Sequence, residues 1–69
     1  MPKLFSSKQI IKVLQKHGFI LISQCGSHVK FRKMGLEVRT TIVPDNKKEI
    51  PRGIFKSILR QSGLEEKDF

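Results

Sequence analysis

The sequence predicts an α+β fold: a helix at each end, both packed on one face of a three-stranded antiparallel sheet. Three observations carry that prediction. Apolar residues recur at helical spacing in two separate stretches, Ile10, Ile11, Val13 and Leu14 near the start and Ile54, Phe55, Ile58 and Leu59 near the end. Between them lie short runs rich in β-branched and aromatic residues, punctuated by glycine-bearing turns. In the middle run Val29 and Phe31 alternate with Lys30 and Arg32, which requires a sheet with one dry face and one wet face.

Each element has a local reason. Ser6-Ser7 before Lys8-Gln9-Ile10 supplies a serine N-cap for the first helix. Gly18 stops that helix in a left-handed conformation, and His17 falls where a cation complements the helix dipole. Phe19-Ile20-Leu21-Ile22-Ser23 reads as the first strand, followed by a hairpin turn at Gln24-Cys25-Gly26-Ser27. Val29 to Lys33 is the second strand, Met34-Gly35-Leu36 a turn, and Glu37 to Val43 the third strand, closed by Pro44. Asp45 to Glu49 is a polar loop. Proline near a first helical turn opens the second helix at Ile50-Pro51-Arg52-Gly53, and Gly63 ends it. Phe19, Phe31 and Phe55 fall on apolar faces and read as core. Beyond Leu64 the acidic residues 65–69 are expected to fray.

The chain has 69 residues, enough for one small domain spanning 1–69. A chain of this size buries only about 60% of the surface its unfolded form exposes. Its core is thin, and chemistry is expected on an open face, with a polymer as the matching substrate. The formal net charge is +8. Setting aside residues 65–69, with one lysine and three acids, leaves 13 cations against 3 anions, or +10. Charge of this size favours a polyanion, an acidic surface or an acidic protein. Cys25 is the only cysteine, so a disulfide framework is excluded and no zinc-type ligand spacing can be drawn. No metal or other cofactor is expected. The start of the chain has no long apolar segment and no run approaches membrane-spanning length, so a cytoplasmic, membrane-free protein is expected.

Gly26-Ser27-His28 followed by Val29-Lys30-Phe31-Arg32 is the stretch that points to chemistry. A tight-turn glycine, Gly26, delivers His28 to the start of a strand whose alternate positions are Lys30 and Arg32. Period-2 alternation places all three on one face. Cleavage of RNA at its own 2′-hydroxyl needs a group to move a proton near neutral pH and positive charge for the developing phosphorane. Imidazole does the first. Lys30 and Arg32 do the second. Arg39 and Thr41 are expected to extend the same wet face, with Ser27 beside the histidine. Lys47, Lys48 and Arg52 lie in or near the loop before the second helix, where a phosphate would be welcome. The plainer alternative for those three is a solvated, charged loop. A second proton carrier is not evident, since no other histidine belongs to this strand.

Helix, three strands, helix is the plan of the double-stranded-RNA-binding domain. Gly26-Ser27-His28, Phe31 three residues on, and the closing stretch from Glu49-Ile50-Pro51-Arg52-Gly53 through Gly63-Leu64 resemble, more narrowly, the HicA toxin family. The resemblance covers nearly the whole chain. It implies a dsRBD-like fold and a metal-independent ribonuclease that cuts messenger RNA in a toxin–antitoxin pair. Its implied catalytic histidine is His28, and its implied partner is a HicB-type antitoxin covering the active face. The alternatives are a non-catalytic RNA-binding module using the same basic face, and a piece that docks only an acidic protein.

Overall fold

The computed structural model describes residues 4–69 and contains the expected elements in the expected order. Helix α1 spans Ser7–Lys16. Ser6 Oγ accepts the Gln9 N–H at 3.1 Å while Gln9 Oε1 accepts the Ser6 N–H at 2.9 Å, a reciprocal capping box that satisfies two donors a helix start leaves open. At the other end His17 donates back into the last turn, and Gly18 adopts φ +94° to turn the chain. Ile10 and Leu14 are fully buried on the inner face.

The sheet is a meander of β1 (Ile20–Cys25), β2 (His28–Lys33) and β3 (Arg39–Pro44), all antiparallel and in that spatial order. Gly26 takes φ +59°, so the two-residue Gly26-Ser27 turn closes the first hairpin as primed turns do. The second connection is longer than the sequence predicts. Lys33 pairs with Arg39, which leaves Met34 to Val38 as a five-residue loop and starts β3 two residues late. Glu37 folds its carboxylate onto Arg39 Nη2 at 3.1 Å, and Val38 is exposed, so neither extends the ladder.

Helix α2 (Arg52–Ser62) follows Pro51 and ends at Gly63, whose φ of +77° is the left-handed stop expected there. Both helices lie over the face that carries Val29, Phe31, Thr41 and Val43, burying them with Ile10, Leu14, Phe19, Ile50, Phe55 and Ile58. This is the dsRBD-like α-β-β-β-α arrangement. The helical cover falls chiefly on β3, whereas β1 is exposed along its whole length.

Residues 65–69, expected to fray, instead fold back. Glu66–Asp68 form a short 3₁₀ turn in which Glu65 N–H donates to Asp68 Oδ2 at 2.8 Å. Phe69 packs edge-on to Phe55 at 5.1 Å and tilted against Phe5 at 6.1 Å, so aromatic burial holds the end of the chain.

Ser7 ties α1 to the loop after β3. Its hydroxyl is buried, donates to the Pro44 carbonyl at 2.6 Å and accepts the Lys47 N–H at 2.9 Å. Alanine at this position removes the side-chain partner of both backbone groups. We expect Ser7→Ala to cost about 1–3 kcal/mol, read as a fall in the urea midpoint with the m-value unchanged.

Candidate functional site

Because β2 alternates strictly, His28, Lys30 and Arg32 stand on the sheet face turned away from the helices, while Val29 and Phe31 are in the core. The three lie at two-residue intervals, about 7 Å apart along the strand. His28 is exposed and sits between Cys25 of β1 and Pro44 of β3; Lys30 sits between Ser23 and Ile42; Arg32 sits between Ile20 and Thr40. Arg32 Nε donates to Thr40 Oγ1 at 3.2 Å, which fixes the guanidinium along the open surface. Ser27 Oγ is 3.5 Å from His28 Nδ1.

The turn that presents the histidine is clamped from the side. Asp45 N–H donates to the Ser27 carbonyl at 2.6 Å. Gln24 Nε2 donates to Asp45 Oδ2 at 3.1 Å and to the Gly26 carbonyl at 3.3 Å. Gln24 and Asp45 are 21 residues apart in the chain, and Asp45 reads in the sequence only as part of a solvated loop. An Asp-Asn pair directly after a strand-ending proline was the available signal; the register that brings it to the hairpin was not.

Lys47 and Lys48 are exposed in the loop that leaves the sheet at Pro44, the cross-strand partner of His28. Ser7 pins that loop, and the two lysines line a shallow cleft with Ser6, Lys8 and Asn46. Their cations therefore belong to the end of the molecule where His28 stands.

Two of the expected residues are elsewhere. Arg39 pairs with Lys33 and Thr41 with Phe31, so both face the helix side rather than the wet face. Thr41 is fully buried with its hydroxyl donating to Gln61 Oε1 at 3.0 Å, and Arg39 lies against Gly63. The open-face members of β3 are Thr40 and Ile42. The cause is the pairing itself, which sets Thr41 opposite the core residue Phe31 and Arg39 opposite Lys33. Arg52 is held in a bidentate ion pair by Glu66, both contacts at 3.0 Å, and its guanidinium lies 5.5 Å over the Phe55 ring. That hydrogen-bonded pairing raises the Arg52 pKa and lowers that of Glu66. The guanidinium thus braces the chain terminus against α2. Among the described residues, no three of histidine, cysteine, aspartate and glutamate come together in a cluster able to hold a metal ion. Nor is any described helix long and apolar enough to cross a membrane.

An exposed histidine at a clamped turn, two cations in line with it and a dsRBD-like scaffold define a small basic protein with an open cationic sheet face. The family model described as the HicA toxin of bacterial toxin–antitoxin systems matches residues 7–64. The chain belongs to the HicA toxin family, and an antitoxin partner follows from that membership. No curated protein matches the chain.

Proposed function

We propose that this toxin is a metal-independent endoribonuclease that cleaves messenger RNA in the cytoplasm and is neutralised by a HicB-type antitoxin. The observation that carries the reading is the solvent-open imidazole of His28 in line with Lys30 and Arg32. His28 removes the proton from a ribose 2′-hydroxyl. The 2′-oxygen attacks the adjacent phosphorus, the P–O5′ bond breaks, and the departing 5′-oxygen receives a proton from the imidazolium or from water. The products are a 2′,3′-cyclic phosphate and a 5′-hydroxyl. Lys30 and Arg32 offset the charge that builds on the phosphorane, in the way cations aimed at developing charge lower a barrier. Ser27, beside Nδ1, orients the ring, and Lys47 and Lys48 hold flanking phosphates.

A polymer substrate suits this surface, since His28 stands exposed on an open sheet face. The antitoxin inhibits by covering the face. The reaction requires the substrate's own 2′-hydroxyl, so RNA carrying 2′-O-methyl groups throughout is expected to bind and remain intact. Unmodified RNA of the same sequence is cut, with EDTA present, to fragments ending in 2′,3′-cyclic phosphate. Cleavage of the methylated strand overturns this mechanism. Binding without cleavage of the unmodified strand leaves the non-catalytic RNA-binding module in its place.

A further inference from the structure

The two edges of the sheet are treated differently. On β3 the Ile42 N–H is taken by Gln61 Oε1 at 3.3 Å, α2 packs alongside, and the strand ends in Pro44. That edge is closed to further pairing. On β1, among the described residues, no strand lies beyond the one pairing with β2. From Ile20 to Cys25 it contains no charged residue, although 29% of the chain is charged. Lysine and other charges are the usual means of blunting an edge.

The register collects further apolar surface at one end of this edge. Ile20 lies across from Arg32, next to Lys33 and the loop that follows it. Ile20, Leu21 and Ile22 of β1 and Met34, Leu36 and Val38 of the loop are all exposed large hydrophobics, Leu36 completely so. This end of β2 is five residues from His28, about 17 Å at the rise of an extended strand. It lies at the Arg32 end of the cationic row, away from the histidine. Scattered exposed hydrophobics mean little, but three successive exposed apolar residues, Ile20 to Ile22, on an open strand edge mark an interaction site.

We infer that the outer edge of β1 accepts an extended segment of the antitoxin, which adds as a fourth strand and seats apolar side chains against Ile20, Leu21 and Ile22. The edge offers a row of backbone donors and acceptors that a polypeptide strand matches and a nucleic acid does not. Charge selects between polypeptides. A second copy of this chain brings another +8 to the same surface, whereas an acidic segment complements Arg32 and Lys33 beside the edge. The β-bulge between Leu21 and Ser23 twists the strand, which limits self-annealing and confines pairing to a short stretch. The inference rests on the antitoxin half of the functional reading and is independent of the nuclease half.

Hydrogen exchange of the toxin, alone and with its full-length antitoxin, tests the inference. The backbone amides of residues 20–23 are expected to slow by about tenfold or more on complex formation, the signature of new backbone hydrogen bonds. Leu21→Glu and Ile22→Glu, both at exposed positions on β1, are expected to keep the circular dichroism spectrum and RNA cleavage of the wild type. Each should weaken antitoxin binding by about tenfold or more, as loss of an apolar anchor does. The outcome is a toxin that cuts RNA and escapes inhibition. Protection confined to residues 26–33, or wild-type antitoxin affinity in both variants, overturns the inference. Failure of the wild type to form any complex overturns the antitoxin reading itself, with cleavage unaffected.

Discussion

His28→Ala is expected to lower the rate of RNA cleavage by about 10²- to 10⁴-fold, the usual contribution of a positioned acid or base, and to abolish growth arrest. The size of the effect follows from the surroundings of the ring. No other histidine shares the open face: His17, the second in the chain, caps α1. Ser27 and Cys25 flank the position, and neither hydroxyl nor thiol replaces an imidazole in moving a proton at neutral pH. The cations remain in the variant, so RNA is still bound.

That separation makes the result interpretable. The His28 side chain is exposed and contributes nothing to the core. The turn that holds it is fixed by backbone contacts to Asp45 and by Gln24, none of which the substitution touches. The thermal midpoint and the salt dependence of RNA binding should therefore match the wild type. Unchanged cleavage in His28→Ala removes the histidine from the mechanism and leaves a basic binding surface. Loss of cleavage together with loss of folding would assign the residue a structural role instead.

The parts of this molecule that local chemistry dictates were legible in the chain. Ser6, Gly18 and Gly63 mark helix ends through requirements each residue meets on its own, and the structure uses all three that way. The alternation around Phe31 gave the face of His28, Lys30 and Arg32 because period 2 admits no other arrangement within one strand. What depends on pairing between strands was not legible. Arg39 and Thr41 were expected on the wet face, and pairing opposite Lys33 and Phe31 turns them inward. Phe69 looked like part of a loose acidic tail because its partners, Phe5 and Phe55, lie far away in sequence. Gln24 and Asp45, which clamp the histidine turn, stayed invisible for the same reason. Each is unremarkable alone, and only the folded hairpin joins them.

Phe31→Ala is expected to cost about 3–5 kcal/mol, the range for truncating a buried aromatic side chain. Phe31 is 1% exposed and stands on β2, the central strand, with Leu21 and Thr41 as its cross-strand partners and both helices above. The ring is one of nine buried hydrophobic side chains among the described residues, so little remains to collapse into the space it leaves. At roughly 0.05–0.15 kcal/mol per residue, a chain of this length is stable by about 3–10 kcal/mol in total. The substitution removes a third of that at the high end and all of it at the low end. With an m-value of about 1 kcal/mol/M in urea, the midpoint falls by roughly 3–5 M. Activity is lost with it, because Phe31 holds straight the strand from which Lys30 and Arg32 project. The accompanying loss of the folded baseline distinguishes this variant from His28→Ala, which stays folded and inert. A midpoint within 1 M of the wild type, by the same m-value, would mean that the sheet is not held to the helices through this ring.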